Sequence, residues 1–411
     1  MGGHARGPRG GVTANDPMTT PEAVAPPEVR RLAVTRETEV QDALRDARAR
    51  RELIRIAGAG TWLQAGRPVA AETTLDLSRL SGIVEYVPGD LTLTARAGTS
   101  LAEIDDAVRA NDQWLPLDPF GASAGTLGAT LATASAGPLA GSIGLPRDVA
   151  LGVAFVTGDG RLVRGGGRVV KNVAGFDLVR LAVGAWGTLG VIVEATVRLR
   201  ARPEADRTLA LVLPADEGAL ATRLRAVREA DAAPVAAELV GTALAARLGL
   251  DAGRDWLVLR LAGNVDAVRA QEAALARFGE VRELPSDAWR RLCDAEPAQG
   301  LVLRLSQRPS ELARLWNVAR RVEAAGGAVH ASLGRGVVRG WLPMPDENVV
   351  GGVLAALRAD DARIFERLPR PWWPRFAPAA PDPLARALRR AFDPGHILNR
   401  GILGETVEDA T

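Results

Sequence analysis

The sequence predicts an α+β protein built from two domains and a returning tail, and three observations carry that prediction. The chain has 411 residues, 47% of them hydrophobic, enough for about two to three domains with proper cores, and no apolar run is long enough to cross a bilayer. The segment "TLGVIVEATVRLR" alternates at period two: Val191, Val193, Ala195, Val197 and Leu199 share one face, while Glu194, Thr196, Arg198 and Arg200 share the other. After "RPEAD" the rhythm changes. Strands such as "TLALVLP", "DWLVLRLAG" and "GLVLRLS" then alternate with helices such as "VDAVRAQEAALARF" and "ELARLWNVARRVEAAG", as expected for a second domain with a helix-covered sheet.

Taken in order, residues 1–34 are rich in Gly, Pro and Ala and lack an apolar signal-peptide core, so a disordered tail is expected. Val40, Ala43, Leu44 and Ala47 then fall on one helical face, followed by the short strand "ELIRIAG", which runs into glycines. "LTLTARAG" reads as a strand, and Ser100 with Glu103 makes a capping box that opens the helix "LAEIDDAVRA". "RPWWPRFAPAAPDP" is Pro-rich and reads as a connector; "LARALRRAFDPGHILNRGIL" reads as a helix plus a tail docking back on the first domain.

Charge and cysteine content narrow the function classes. The formal net charge of +2 comes from interspersed residues, which excludes a nucleic-acid or membrane footprint, and a cytoplasmic protein is expected. The single cysteine, Cys293, rules out a disulfide framework and leaves the chain without the ligands for an iron–sulfur cluster of its own. Among 51 basic residues the only lysine is Lys171, in "VVKNVAGFD". A chain that uses Arg everywhere else points to shape rather than charge at that position.

Two glycine-containing stretches place small residues where backbone approaches something closely: Gly58, Ala59, Gly60 and Thr61, and the longer "PFGASAGTLGATLATASAGP". Successive free N–H groups form anion-binding nests, and a helix starting at "GTLGAT" would add its positive end, so a pyrophosphate fits both. Tight turns and close helix contacts would use the same residues. Neither stretch is a Rossmann or Walker fingerprint.

The order "GAGT", "GTLGATLATASAG", "GSIGLPRDVALGVAFVTGDGRLV", "KNVAGFDLVRLAVGAWGTLGVI", "FDPGHILN" resembles the FAD-linked oxidases with a p-cresol methylhydroxylase type of FAD domain, in particular the FAD-binding subunits of glycolate oxidases. The resemblance runs from about residue 35 to 404. It implies a two-subdomain FAD-binding domain over residues 35–202, a smaller α+β cap domain over 203–370, and a connector, helix and tail over 371–411 that return to the FAD domain. It nominates Gly58, Ala59, Gly60 and Thr61, then Gly125, Thr126, Leu127, Gly128 and Ala129, then Gly187, Thr188, Gly190 and Val191 as the FAD cradle. Arg147 and Asp148 match a family Arg–Asp pair near the flavin, although a local ion pair fixing a turn explains them equally; Lys171, Gly175 and Asn399 complete the set. The resemblance further implies oxidation of glycolate to glyoxylate with electrons leaving through FAD, and two partners, a larger flavin subunit and an iron–sulfur subunit. Any membrane association would run through them.

Departures from the family pattern sharpen the expectation. Trp62 follows "GAGT" and Cys293 lies in the other domain, so no linking His or Cys stands beside the loops and FAD is expected to be non-covalent. Val170 and Ala174 stand where some hydroxy-acid dehydrogenases offer Arg and Thr to a carboxylate, which points away from substrate oxidation by this chain alone. The three histidines, His4, His330 and His396, do not read as an acid/base or metal set; His330 reads as structural and His396 as a surface residue. Trp186 reads as packing. Catalytic residues stay unassigned, and two other readings stay open: a self-sufficient FAD-dependent oxidoreductase for a 2-hydroxy acid or sugar lactone, and a non-redox scaffold that holds FAD. Lys171 either faces the flavin or its phosphates, or pairs with an acid such as Asp177.

Overall fold

The structure is a computed structural model that describes residues 2, 29–121, 125–167, 176–379 and 382–404; His4, Val170, Lys171, Ala174 and Gly175 lie outside them. The first subdomain is a three-stranded parallel sheet in the order Arg30–Ala33, Thr73–Asp76, Ile54–Ala57. The helix Glu37–Arg50 crosses over from Arg30–Ala33 to Ile54–Ala57, which flank the central strand Thr73–Asp76, and it buries Val40, Leu44 and Ala47 while Ala43 stays at the margin. Glu39 ties down the helix start, its carboxylate accepting from Thr35 N at 2.7 Å.

The second subdomain is a five-stranded antiparallel sheet in the order Ile83–Val87, Thr92–Arg96, Val191–Arg198, Ala150–Val156, Leu162–Gly166. Its central strand, Val191–Arg198, buries Val191, Val193, Ala195 and Val197 as the alternation requires. Ile192 is buried as well, because the helix Leu127–Thr133 covers the opposite face with Leu127 and Leu131. Ser100 caps the helix Leu101–Arg109, accepting from Glu103 N at 3.1 Å.

The cap is one eight-stranded sheet in the order Val281–Leu284, Ala205–Val212, Trp256–Gly263, Ala236–Val240, Ala328–Ser332, Val337–Leu342, Leu301–Ser306, Ala362–Arg367, every pairing antiparallel. Helices Glu217–Arg228, Val265–Ala276, Leu312–Ala324 and Glu347–Ala355 close one face around a leucine-rich core. The Pro-rich segment contributes to that core. Trp373 and Phe376 of the short helix Trp373–Phe376 are buried there, and the Trp373 indole donates to Leu368 O at 3.1 Å, so two large aromatic side chains hold what composition alone reads as a connector.

The tail after the helix Pro383–Phe392 runs alongside the first sheet. Ile54 N donates to Ile397 O at 2.8 Å and Asn399 N to Ile54 O at 2.8 Å, so residues 397–399 extend the parallel sheet by one short edge. Buried Asp393 fixes the turn before them by accepting from the amides of Ile397 and Leu398. The first domain and the cap meet directly: Gly66 N donates to Glu366 O at 2.7 Å, and Gly121 N to Cys293 O at 3.0 Å. Among the described residues no helix is long and apolar enough to cross a membrane.

Candidate functional site

A cavity with about 750 Å³ of empty space opens where the strand Ile54–Ala57 runs into the 58–61 loop. Gly58, Gly60 and Thr61 form one wall, Thr126, Gly128 and Ala129 a second, and Gly187, Gly190 and Asn399 a third. The small residues are required by the protein itself. A Cβ on Gly58 would strike Thr126 Oγ1, one on Gly128 would lie 2.6 Å from the Ala97 Cβ, and one on Gly190 2.5 Å from the Phe155 ring. Gly60 and Gly187 also hold φ of +85° and +69°, the left-handed region that side chains resist.

The two glycine stretches differ in what their amides offer. Among the described residues the N–H groups of Gly58, Ala59, Gly60 and Thr61 donate to no protein acceptor, which suits a nest for an anion. In the second stretch Leu127 N donates to Thr99 O at 2.9 Å, Gly128 N to Ala97 O at 2.8 Å and Ala129 N to Thr126 Oγ1 at 3.4 Å. Those amides are consumed. The expectation that the start of the 127–133 helix adds its positive end is therefore corrected: its first N–H groups are already paired, and the stretch contributes shape instead.

Other nominated residues fall in three places. Gly125, Leu127, Thr188 and Val191 are buried behind the cavity wall, Thr188 donating to Ala185 O at 2.7 Å. Arg147 and Asp148 are exposed and form no wall of this cavity; Asp148 caps its own turn, accepting from Leu145 N at 2.9 Å. Lys171 and Gly175 lie outside the described residues, and Asp177 caps the helix Leu178–Ala182 through Arg180 N. Asn399 has the most defined role. Its Oδ1 accepts from Ile56 N at 2.9 Å and its Nδ2 donates to Trp186 O at 2.7 Å, pinning the tail to both sides of the cavity.

Sequence reasoning missed two features here. Arg55 lines the cavity with a guanidinium whose pKa is lowered, first by burial and then by nearby Arg370. Trp186, read as packing, meets Trp62 edge to face with 6.0 Å between ring centroids, and both rings line this cavity and a second one beyond it.

The second cavity, about 790 Å³ of empty space, lies between the domains, and its far wall is the face of the cap sheet opposite the leucine-rich core. Period two puts Glu238, Arg304, His330, Ser332, Arg339 and Glu366 on that face, while Leu239, Leu303, Val329, Ala331 and Val338 point into the leucine core. Register then brings the polar set together, His330 opposite Arg339 and Arg339 opposite Arg304. His330 is 3% exposed and its Nδ1 is 2.8 Å from Glu238 Oε2; its Nε2 has no hydrogen-bond partner among the described residues. The expectation that His330 is simply a satisfied structural residue is thus corrected.

Around it four guanidiniums face three carboxylates. Arg339 pairs with Glu296 at 2.7 Å and Glu366 at 2.6 Å, Arg304 with Glu366 at 3.3 Å, and Arg367 with Glu296 at 3.0 Å. Burial opposes charging at Glu366, but Arg339 prevails and holds its carboxyl below the ordinary range. Arg335 lines the cavity with no hydrogen bond or ion pair among the described residues. On the other side of the interface Asp118 is pushed up to about 7, first by burial, with Leu139 N donating to it at 2.8 Å. Burial likewise raises the Cys293 thiol, which lines a separate cavity with Asp118 and is no wall of the glycine-lined one.

Comparison with known proteins agrees with this geometry. Residues 30–166 match the family model of an FAD binding domain. Glycolate oxidase subunit GlcE of Escherichia coli (strain K12) is 43% identical over 156 residues, 38% of this chain and 44% of that protein. Glycolate oxidase subunit GlcD of Bacillus subtilis (strain 168) is 35% identical over 153 residues, 37% of this chain and 33% of that protein. The matched stretches therefore span less than half of either relative. A crystal structure of p-cresol methylhydroxylase with substrate bound shares the fold across 92% of this chain and 89% of its own, with a TM-score of 0.73 at 16% identity. The first domain is an FAD-binding domain of this α+β fold. Its cavity fits the group: free amides at 58–61 suit a pyrophosphate, and Trp62 and Trp186 offer flat apolar walls.

Proposed function

We propose that the chain is the FAD-binding subunit of a glycolate oxidase type of complex, taking part in the oxidation of a small 2-hydroxy acid, glycolate first among candidates. The observation that carries the reading is the continuity of the two cavities. The glycine-lined one and the cationic one share Trp62, Thr133 and Trp186, so a flavin in the first lies beside a site that favours carboxylates. Bound FAD would supply the two-electron acceptor; the protein's part is to hold it, through the 58–61 amides and Arg55, and to present an anion to it. The identity to a glycolate oxidase subunit supports the substrate class.

FAD is held without a covalent bond, since the thiol of Cys293 lies on another cavity and, among the described residues, no histidine lines the glycine-lined one. The partners are a larger flavin subunit and an iron–sulfur subunit, because this chain has one cysteine and cannot ligate a cluster itself. The complex is cytoplasmic, and any attachment to the inner membrane runs through those partners. Purification of the chain from its own host under native conditions tests the subunit reading: a second flavoprotein and an iron–sulfur protein are expected to accompany it in constant ratio. A chain recovered alone, with full glycolate turnover, overturns it.

A further inference from the structure

The interdomain cavity contains two groups that nothing in the cap's own packing uses. Arg335 stands on the turn between the strands Ala328–Ser332 and Val337–Leu342, and its guanidinium reaches the cavity without an ion-pair partner among the described residues. Neighbouring Arg304 and Arg339 already share Glu366, and Arg339 and Arg367 share Glu296, so Arg335 is the guanidinium of this group left without an ion pair among the described residues. A half-buried cation without a hydrogen-bonded partner is costly, since Glu238 and Asp118 act on it only from a distance, and an anion entering the cavity lowers that cost. Burial is the first influence on Arg335 and lowers its pKa, as expected for a cation held short of solvent.

The second group is Nε2 of His330. With Nδ1–H donated to the Glu238 carboxylate, the ring is held in one tautomer and the lone pair resides on Nε2. A buried lone pair without a donor is itself unfavourable. The cavity thus offers a cation and an acceptor, the complement of a carboxylate and a hydroxyl.

We propose that this cavity binds a small hydroxy carboxylate, its carboxylate paired with Arg335 and its hydroxyl donated to Nε2 of His330. Glu238 is a positioning residue in this scheme, since it orients the imidazole and touches no ligand. Phe120, whose ring lies on the imidazole with 4.9 Å between centroids, has to turn aside for the second contact. The site rests on the functional reading above for its neighbour, the flavin, but its geometry belongs to this chain alone, and it places substrate recognition here rather than only on a partner subunit. The proposed carboxylate anchor stands on a turn of the cap sheet, whereas Val170 and Ala174 lie outside the described residues.

The test uses the full FAD-loaded chain, with oxalate as a carboxylate probe, glycolate as the hydroxy acid and glycolamide as a neutral control, followed by titration calorimetry. Saturable binding of oxalate and glycolate but not glycolamide is expected. Arg335→Met should weaken both acids at least about tenfold, the loss of a charge-assisted pair, and Arg335→Lys should recover part of it. For the hydroxyl contact, ¹⁵N-histidine spectra should show His330 as the Nδ1–H tautomer, its Nε2 signal moving on glycolate and not on oxalate. Glu238→Gln should mix the tautomers while retaining oxalate affinity. FAD content of each variant reports folding separately. Oxalate binding that is absent in the wild type, or unchanged in Arg335→Met with normal FAD content, overturns the site; co-purification with partner subunits is unaffected by that outcome and still judges the functional reading.

Discussion

The two cavities that meet at Trp62 and Trp186 are built by opposite means. On the FAD side the walls are glycine, alanine and threonine backbone, and the site exists because side chains are missing; Gly58, Gly128 and Gly190 each sit where a Cβ would collide with Thr126, Ala97 or Phe155. On the cap side the wall is a set of long charged side chains buried on one sheet face, Glu238, Arg339 and Glu366 all under 10% exposed. The first kind of site tolerates no added atoms. The second tolerates no lost partners, because each of these three charges is held by another group.

The largest expected effect breaks the charged wall. Arg339→Met leaves Glu296 and Glu366 buried without their shared cation, at a cost on the order of 3–5 kcal/mol, and chemical denaturation should show the loss. Gly128→Ala attacks the other wall. Its new methyl meets Ala97 Cβ at 2.6 Å and Ala97 O at 3.0 Å, backbone that cannot swing away, so about 1–3 kcal/mol of stability and much of the FAD content should be lost, measured by denaturation and by flavin released on acid precipitation. Yellow supernatant from the wild type in the same assay is the outcome expected for non-covalent FAD.

Asn399→Ala tests the strut between the two. Ile56 N and Trp186 O lose their partners, a cost of about 1–3 kcal/mol in all, and FAD affinity should fall more than overall stability because the tail edge loosens first. The smallest effect concerns pH. Asp118 keeps its proton in the folded state up to about 7, against 3.8 ordinarily, so its contribution is fully present below that lower value and declines as pH rises through 7. Asp118→Asn keeps the acceptor for Leu139 N and should flatten stability across this window; an unchanged profile would remove Asp118 as its source.

The same contrast explains what could be read in advance. The glycine loops are contiguous in sequence, and their chemistry survives as a local pattern, so the FAD-binding domain and most of the walls of its glycine-lined cavity were legible. The errors there were of detail: the amides of Leu127 and Gly128 are spent on Thr99 and Ala97, a fact of tertiary pairing that no local pattern reports. The cap wall was not legible. Glu238, His330, Arg304 and Glu366 lie on four separate strands, and they meet only through sheet register. A signal did exist, since "VHAS" places polar His330 and Ser332 in alternation with apolar Val329 and Ala331, but it becomes a site only once its neighbours are known. Two buried aromatic residues in the Pro-rich stretch escaped for a similar reason: proline masks how much area Trp373 and Phe376 bury.

The claim that joins both regions is that the two cavities work as one site. Titrating the FAD-loaded chain with oxalate in the absence of oxygen, while recording the visible flavin spectrum, tests it most directly. A saturable change in the flavin bands, with the midpoint found by calorimetry and lost in Arg335→Met, is the predicted result. Oxalate that binds by calorimetry yet leaves the flavin spectrum unmoved would contradict it, because the cationic cavity would then be separate from the flavin.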